Sequence, residues 1–167
     1  MIRFVEAIRK SIENENWFAA LYMSMAVPDM CASLESDDGQ TKRKRYMEWY
    51  ERYLAKSYQK LSSADCYALR CAILHEGSGD ISQQQSRDVL ERFHFTVYAE
   101  VHLLKIDSIL QLDAQIFCDD ICRAAERWID DFRTNHPEKR DRLNQLVTIS
   151  IGSFPQKLEL LDGKKKG

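Results

Sequence analysis

Between Cys66 and Leu74 the sequence reads CYALRCAIL, a run in which Arg70 is the single charged residue and every other residue is apolar, aromatic or cysteine. A helix that is apolar around most of its circumference is normally a buried one, and arginine is almost never fully buried without a partner. The fold must therefore enclose this helix and supply something that satisfies Arg70. Ser62 and Asp65 match a capping box, in which the serine side chain accepts from the Asp65 N–H and the carboxylate reaches back. Gly77 supplies a left-handed C-cap. His75 then falls in the last turn, where the helix dipole favours an imidazolium, beside the polar loop 76–80. At about 100° per residue, Arg70 and His75 lie roughly 140° apart around the axis. Their convergence needs the reach of the arginine side chain or a second copy of the helix.

With 167 residues, 44% hydrophobic and 30% charged, the chain is long enough to bury one domain's core. A net charge of −2 gives no global field toward nucleic acid or acidic membranes, so any basic surface has to be local. No segment approaches the ~18 consecutive apolar residues of a membrane span. The start, MIRFVEAIRKSIENEN, lacks an uninterrupted signal-peptide core, so a cytoplasmic protein without membrane contact is expected. Cys31, Cys66, Cys71, Cys118 and Cys122 are an odd number spread over predicted helices, which suits a reducing compartment. Cys118 and Cys122 share a helical face, yet no CxxC or paired histidine accompanies them, and neither a metal nor a cofactor is expected.

The pattern is mainly helical. A first helix spans about 2–13, and a second starts from Asn16, with Pro28 expected to kink or break it. Asp29, just past that point, either caps a restarted turn or partners a buried cation. A third helix begins near Thr41 and carries Tyr46, Trp49, Tyr50, Tyr53, Leu54 and Leu61 at helical spacing. Its other side is the most basic part of the chain, led by Lys42, Arg43, Lys44 and Arg45. These four are either a solvated face or a phosphate-contacting, substrate-binding surface. Phe93, Phe95 and Val97 alternate with polar or aromatic residues, and a second run covers 108–113, which together predict an antiparallel hairpin connected through 99–107. A long helix over 114–134 and a short charged one from Pro137 follow. His94 and His102 are expected on exposed strand or loop, and His136 at a turn. The expected fold is an up-and-down helical bundle, one domain over 1–150. A small β-hairpin is inserted at about 92–113, before the last long helix, and 151–167 forms a tail.

The chain has no GxGxxG, GxxxxGK[ST], GxSxG or HExxH and only six glycines. What remains is a fixed cation paired with a titratable imidazole, an arrangement suited to phosphodiester chemistry at RNA. Arg70 would neutralise charge developing on the phosphate, and His75 would take the 2′-hydroxyl proton or protonate the leaving oxygen. Asp29, Asp65 and Tyr67 are the supporting candidates, the first two as carboxylate partners for Arg70.

RCAILHEG, with Arg70 and His75 near the C-terminal end of a helix, resembles the Arg-x(4 to 6)-His motif of the HEPN superfamily, small helical-bundle proteins that include many ribonucleases. The segments NWFAALYMSMAVPDMCASLE, RYMEWYERYL and LSSADCYALRCAILHEG are similar to bacterial HEPN-like proteins across roughly 16–79, with DICRAAERW closing the bundle. The resemblance implies a homodimer in which two motif helices place two Arg70 and two His75 in one cleft. It also implies metal-independent RNA cleavage to a 2′,3′-cyclic phosphate, in a toxin–antitoxin or phage-defence setting with a cognate antitoxin or other protein partner. Active members commonly carry a polar residue after the arginine, where this chain has Cys71. The alternative within the same resemblance is a non-catalytic HEPN-like module that binds nucleotide, RNA or a protein.

Overall fold

The computed structural model describes residues 1–149; the segment read as a tail, 151–167, lies outside the described residues. The first helix, α1 (Ile2–Glu13), turns Val5 and Ile8 inward. The second, α2 (Trp17–Glu35), starts where the Asn16 side chain accepts from the Ala19 N–H at 3.2 Å. It runs through Pro28 without a break, so of the two outcomes expected there, a kink or a break, the break does not occur. An isolated helix interrupted by proline loses a backbone bond and gains a clash. Here α2 carries only Asp29 and Glu35 as charged residues and is held on its flanks by neighbouring helices, which keeps it continuous. Asp29 is accordingly mid-helix and buried, not a cap.

The third helix, α3 (Arg43–Tyr53), is shorter than its apolar stripe. Leu54, Tyr58 and Leu61 continue that stripe from the turns that follow, still buried, with Tyr50 Oη donating to the Leu61 carbonyl at 2.7 Å. The fourth, α4 (Ser63–Glu76), has the ends foreseen. Ser62 Oγ accepts from the Asp65 N–H at 3.1 Å, and Gly77, at φ 66°, is the left-handed cap whose N–H returns to the Ile73 carbonyl. The capping box is only half built, because the Asp65 carboxylate points elsewhere.

Three strands follow: β1 (Arg92–Thr96), β2 (Leu104–Ile106) and β3 (Ile109–Asp113), in the order β1-β3-β2. β1 pairs with β3 in parallel, Phe93 opposite Leu110 and Phe95 opposite Leu112; β2 is the antiparallel neighbour of β3. The expected antiparallel hairpin between the two longer runs is therefore corrected to a three-stranded mixed sheet. Period-two alternation fixes which side chains share a face, and it did place Phe93 and Phe95 together, but it carries no information on strand direction. Direction is set by the connection after β1, where Tyr98, Glu100 and Leu103 adopt φ of 59°, 52° and 57° and carry the chain to the far edge.

β3 runs directly into α5 (Ala114–Asn135), the Asp113 side chain accepting from the Ile116 N–H at 2.9 Å. Trp128, Phe117 and Phe132 of α5 meet Trp49, Tyr46, Tyr50 and Tyr58 in the core. A 3-10 segment, Pro137–Gln145, closes over the C-terminal end of α2, where Arg142 and Lys139 donate to its last carbonyls. The fold is thus mainly helical with a small sheet, and among the described residues no helix is long and apolar enough to cross a membrane.

Candidate functional site

Asp29 stands opposite Arg70, and Tyr22 Oη lies 3.2 Å from where a Cβ on Gly77 would sit, so α2 and α4 run antiparallel. Arg70 Nε donates to Asp29 Oδ2 at 2.5 Å, with only 19% and 12% of the two side chains exposed. The other carboxylate oxygen accepts from Thr41 Oγ1 at 2.8 Å. Burial works against the Arg70 charge, but Asp29 beside it outweighs that and raises its proton affinity above the ordinary value. Arg70 Nη1 then reaches His75 Nε2 at 3.2 Å and lies 3.9 Å from Cys71 Sγ. A guanidinium has no acceptor, so in this contact Arg70 Nη1 donates and the lone pair of His75 Nε2 accepts.

The 140° gap around α4 is closed within one chain, by the length of the arginine. Asp29 anchors the Nε edge of the guanidinium and directs Nη1 back toward the exposed end of the helix. His75 is itself exposed, at the point where α4 gives way to the Gly77 turn. The resulting chain Thr41–Asp29–Arg70–His75 joins a buried carboxylate to a water-accessible imidazole.

The other candidates are placed differently. Asp65 is fully buried and does not meet Arg70; its carboxylate accepts from the backbone N–H groups of Asp88, Val89 and Leu90 at 2.7, 3.3 and 3.3 Å. That corrects its assignment as a partner for the arginine, and it also explains the half-built capping box. Tyr67 packs edge-on against Tyr46, the ring centroids 5.2 Å apart. Burial first, and Cys71 second, push its hydroxyl pKa up. Among the described residues no hydrogen bond joins it to Arg70 or His75.

Every member of the basic run is engaged by a neighbour, Lys42 and Arg45 sharing Asp38. Lys42 pairs with Asp38 at 3.2 Å and Lys44 with Glu48 at 3.8 Å, while Arg45 bonds to Asp38 and to the Gln40 carbonyl. Arg43 donates to the Ser86 carbonyl at 3.1 Å. Three of the four charges there form local ion pairs and Arg43 bonds to a carbonyl, although Thr41, one residue before the run, brings the start of α3 against Asp29.

Thr41 was missed by sequence reasoning, and no spacing rule marks a lone threonine ahead of a basic run. His102 is half-buried, not exposed: its Nδ1 accepts from the Asp113 N–H at 3.2 Å, its ring meets Tyr58 edge-on, and burial lowers its pKa. His94 is exposed on β1, and His136 caps α5 against Phe132. Cys118 and Cys122 are buried thiols pushed up to about 11 and about 12, burial being the main cause in both. Among the described residues no group of three or more His, Cys, Asp or Glu side chains is placed to hold a metal ion. Compared with known protein families, curated proteins and solved structures, the chain matches none.

Proposed function

We propose that this chain is an endoribonuclease of the HEPN type, working as a homodimer, with Arg70 and His75 as its reacting groups. The reading rests on one observation: an anchored guanidinium and an exposed imidazole, brought to 3.2 Å within a single chain at the end of α4. When a phosphodiester takes the Arg70 donors, the lone pair of His75 Nε2 is freed. It accepts the 2′-hydroxyl proton as O2′ bonds to phosphorus, the P–O5′ bond breaks, and the pentavalent charge is held by the guanidinium. The products are a 2′,3′-cyclic phosphate and a 5′-hydroxyl. The leaving O5′ needs a proton from a second acid, because the first imidazole has just accepted one. A second copy of α4 would supply it, meeting the first over the half-buried strip Tyr67, Cys71 and Leu74. Guanidinium and imidazole perform the charge neutralisation and both proton transfers, so the scheme is metal-independent.

A second reading is favoured by the Asp29–Arg70 pair itself. With its charge balanced at 2.5 Å, Arg70 is less available to phosphate than a free cation, and the same site would then serve a non-catalytic module that binds nucleotide, RNA or a protein. The two separate in one assay. Purified protein incubated with single-stranded RNA in EDTA is expected to give 2′,3′-cyclic ends. His75→Ala is expected to abolish them while shifting stability by less than about 0.5 kcal/mol, the usual range for an exposed position. Equal cleavage by wild type and His75→Ala defeats the catalytic assignment, and binding without cleavage selects the module.

A further inference from the structure

Along the groove between α2 and α4, beyond the Gly77 turn, lies a cleft of about 430 Å3 that the catalytic scheme does not use. That volume is in the range of ligand sites, about 300–1,000 Å3. Its walls are Trp17, Phe18 and Tyr22 from α2 and Phe93 and Phe95 from β1, with Ile73 of α4 beneath. None of its lining residues is charged. The Gly77–Gly79 turn forms one side at close range: a Cβ on Gly79 would stand 2.7 Å from the Phe93 carbonyl oxygen. Phe18 is 80% exposed, a ring left in water at the rim, and Tyr22, at 39%, carries a hydroxyl beside Gly77.

Phe18 and Tyr22 lie eleven and seven residues before Asp29, spacings that fall on one stripe of a helix. At 1.5 Å per residue they stand roughly 10 to 17 Å along α2 from the carboxylate that anchors Arg70. An uncharged, aromatic-walled cleft on the same stripe of α2 as the carboxylate that anchors Arg70 has the chemistry of a base-stacking platform: the planar base enters, and the phosphates stay outside with the cation. We propose that this cleft stacks an unpaired nucleobase of single-stranded RNA, a few nucleotides from the phosphate held at Arg70 and His75. The proposal rests on the RNA reading of that pair and names what the site selects, an unstacked base in a single strand.

The test uses a fluorescently labelled, fully 2′-O-methylated oligonucleotide, which cannot form the cyclic product, so binding is read without cleavage. Versions with a single abasic position, scanned along the strand, are titrated against wild type and Phe18→Ala, a substitution at a solvent-exposed ring. One abasic position is expected to weaken wild-type binding about fivefold to a hundredfold, the range for loss of a base–aromatic stack, and to leave Phe18→Ala almost unaffected. Uniform affinity across the abasic scan, in a protein that cleaves or binds RNA, overturns the cleft assignment and leaves the nuclease reading standing. Absence of both RNA binding and cleavage removes the two together. Light scattering that shows Phe18→Ala turning a dimer into a monomer assigns the ring to a subunit contact and likewise overturns the proposal.

Discussion

Two buried carboxylates bear on α4, and they solve the same electrostatic problem in opposite ways. Asp65, in the first turn, is stabilised by three backbone dipoles from 88–90 and serves nothing but that loop. Asp29, across from the middle of the helix, is stabilised by a guanidinium and a hydroxyl. Burying an ionised carboxylate is costly unless it is paired or hydrogen-bonded, and both environments meet that requirement. Only the second brings a cation with unused N–H groups toward the surface, where it finds His75. The difference teaches where chemistry can arise in a helical bundle: at a charge neutralised by a long side chain that also reaches water, not at one neutralised by fixed dipoles.

The comparison breaks most visibly at Asp65. Asp65→Ala leaves three donors without their acceptor in an enclosed place, and a loss on the order of 4 kcal/mol in urea unfolding is expected. A loss below about 1 kcal/mol would mean that water replaces the carboxylate and that the loop is not held by it. Asp29→Ala is expected to cost somewhat less, on the order of 3 kcal/mol, because Arg70 is left uncompensated but has an edge through which to hydrate. The sharper form is the double substitution Asp29→Leu with Arg70→Leu. A buried ion pair replaced by apolar residues is often neutral or stabilising, so the double variant should recover most of the stability lost in Asp29→Ala. If the double variant is the less stable of the two, the pair contributes to the fold beyond its own neutralisation.

The two regions also differ in what the amino-acid order alone discloses. The limits of α4, its Ser62 cap and its Gly77 stop depend on neighbours three or four residues apart, and they are readable for that reason. That Arg70 needs a partner is equally readable, because it follows from one charge in an apolar run. Which carboxylate answers it is not. Asp29 and Asp65 are both acids near apolar helix, and the choice between them depends on how α2 lies against α4, a relation across 41 residues. The sheet shows the same limit: the faces of Phe93 and Phe95 follow from period two, whereas the parallel pairing to β3 is fixed by a connection with three left-handed residues. The break expected as one outcome at Pro28 is absent for a related reason, since the local penalty is overridden by the helices packed around α2.

Each region carries a cysteine one residue further on, and the two thiols extend the contrast to pH. Cys71, beside Arg70, is half-buried, whereas Cys66, beside Asp65, is fully enclosed. Burial pushes the Cys66 thiol up to about 12, partly offset by its hydrogen bond with the Tyr46 hydroxyl at 3.5 Å. An unfolded cysteine titrates near 8.5. Below that value both states hold the proton and the contribution is fully present. Between there and about 12 only the folded state keeps it, so stability is lost as pH rises. By pH 9.5 this amounts to about 1 kcal/mol for the single thiol. Urea midpoints of wild type and Cys66→Ala, taken between pH 7.5 and 9.5, should therefore converge by about that amount, since the variant has no proton to lose at this position. Parallel curves would mean that the enclosure around Asp65 and Cys66 admits water, and the distinction between a sealed end and an open end of α4 would fall with it.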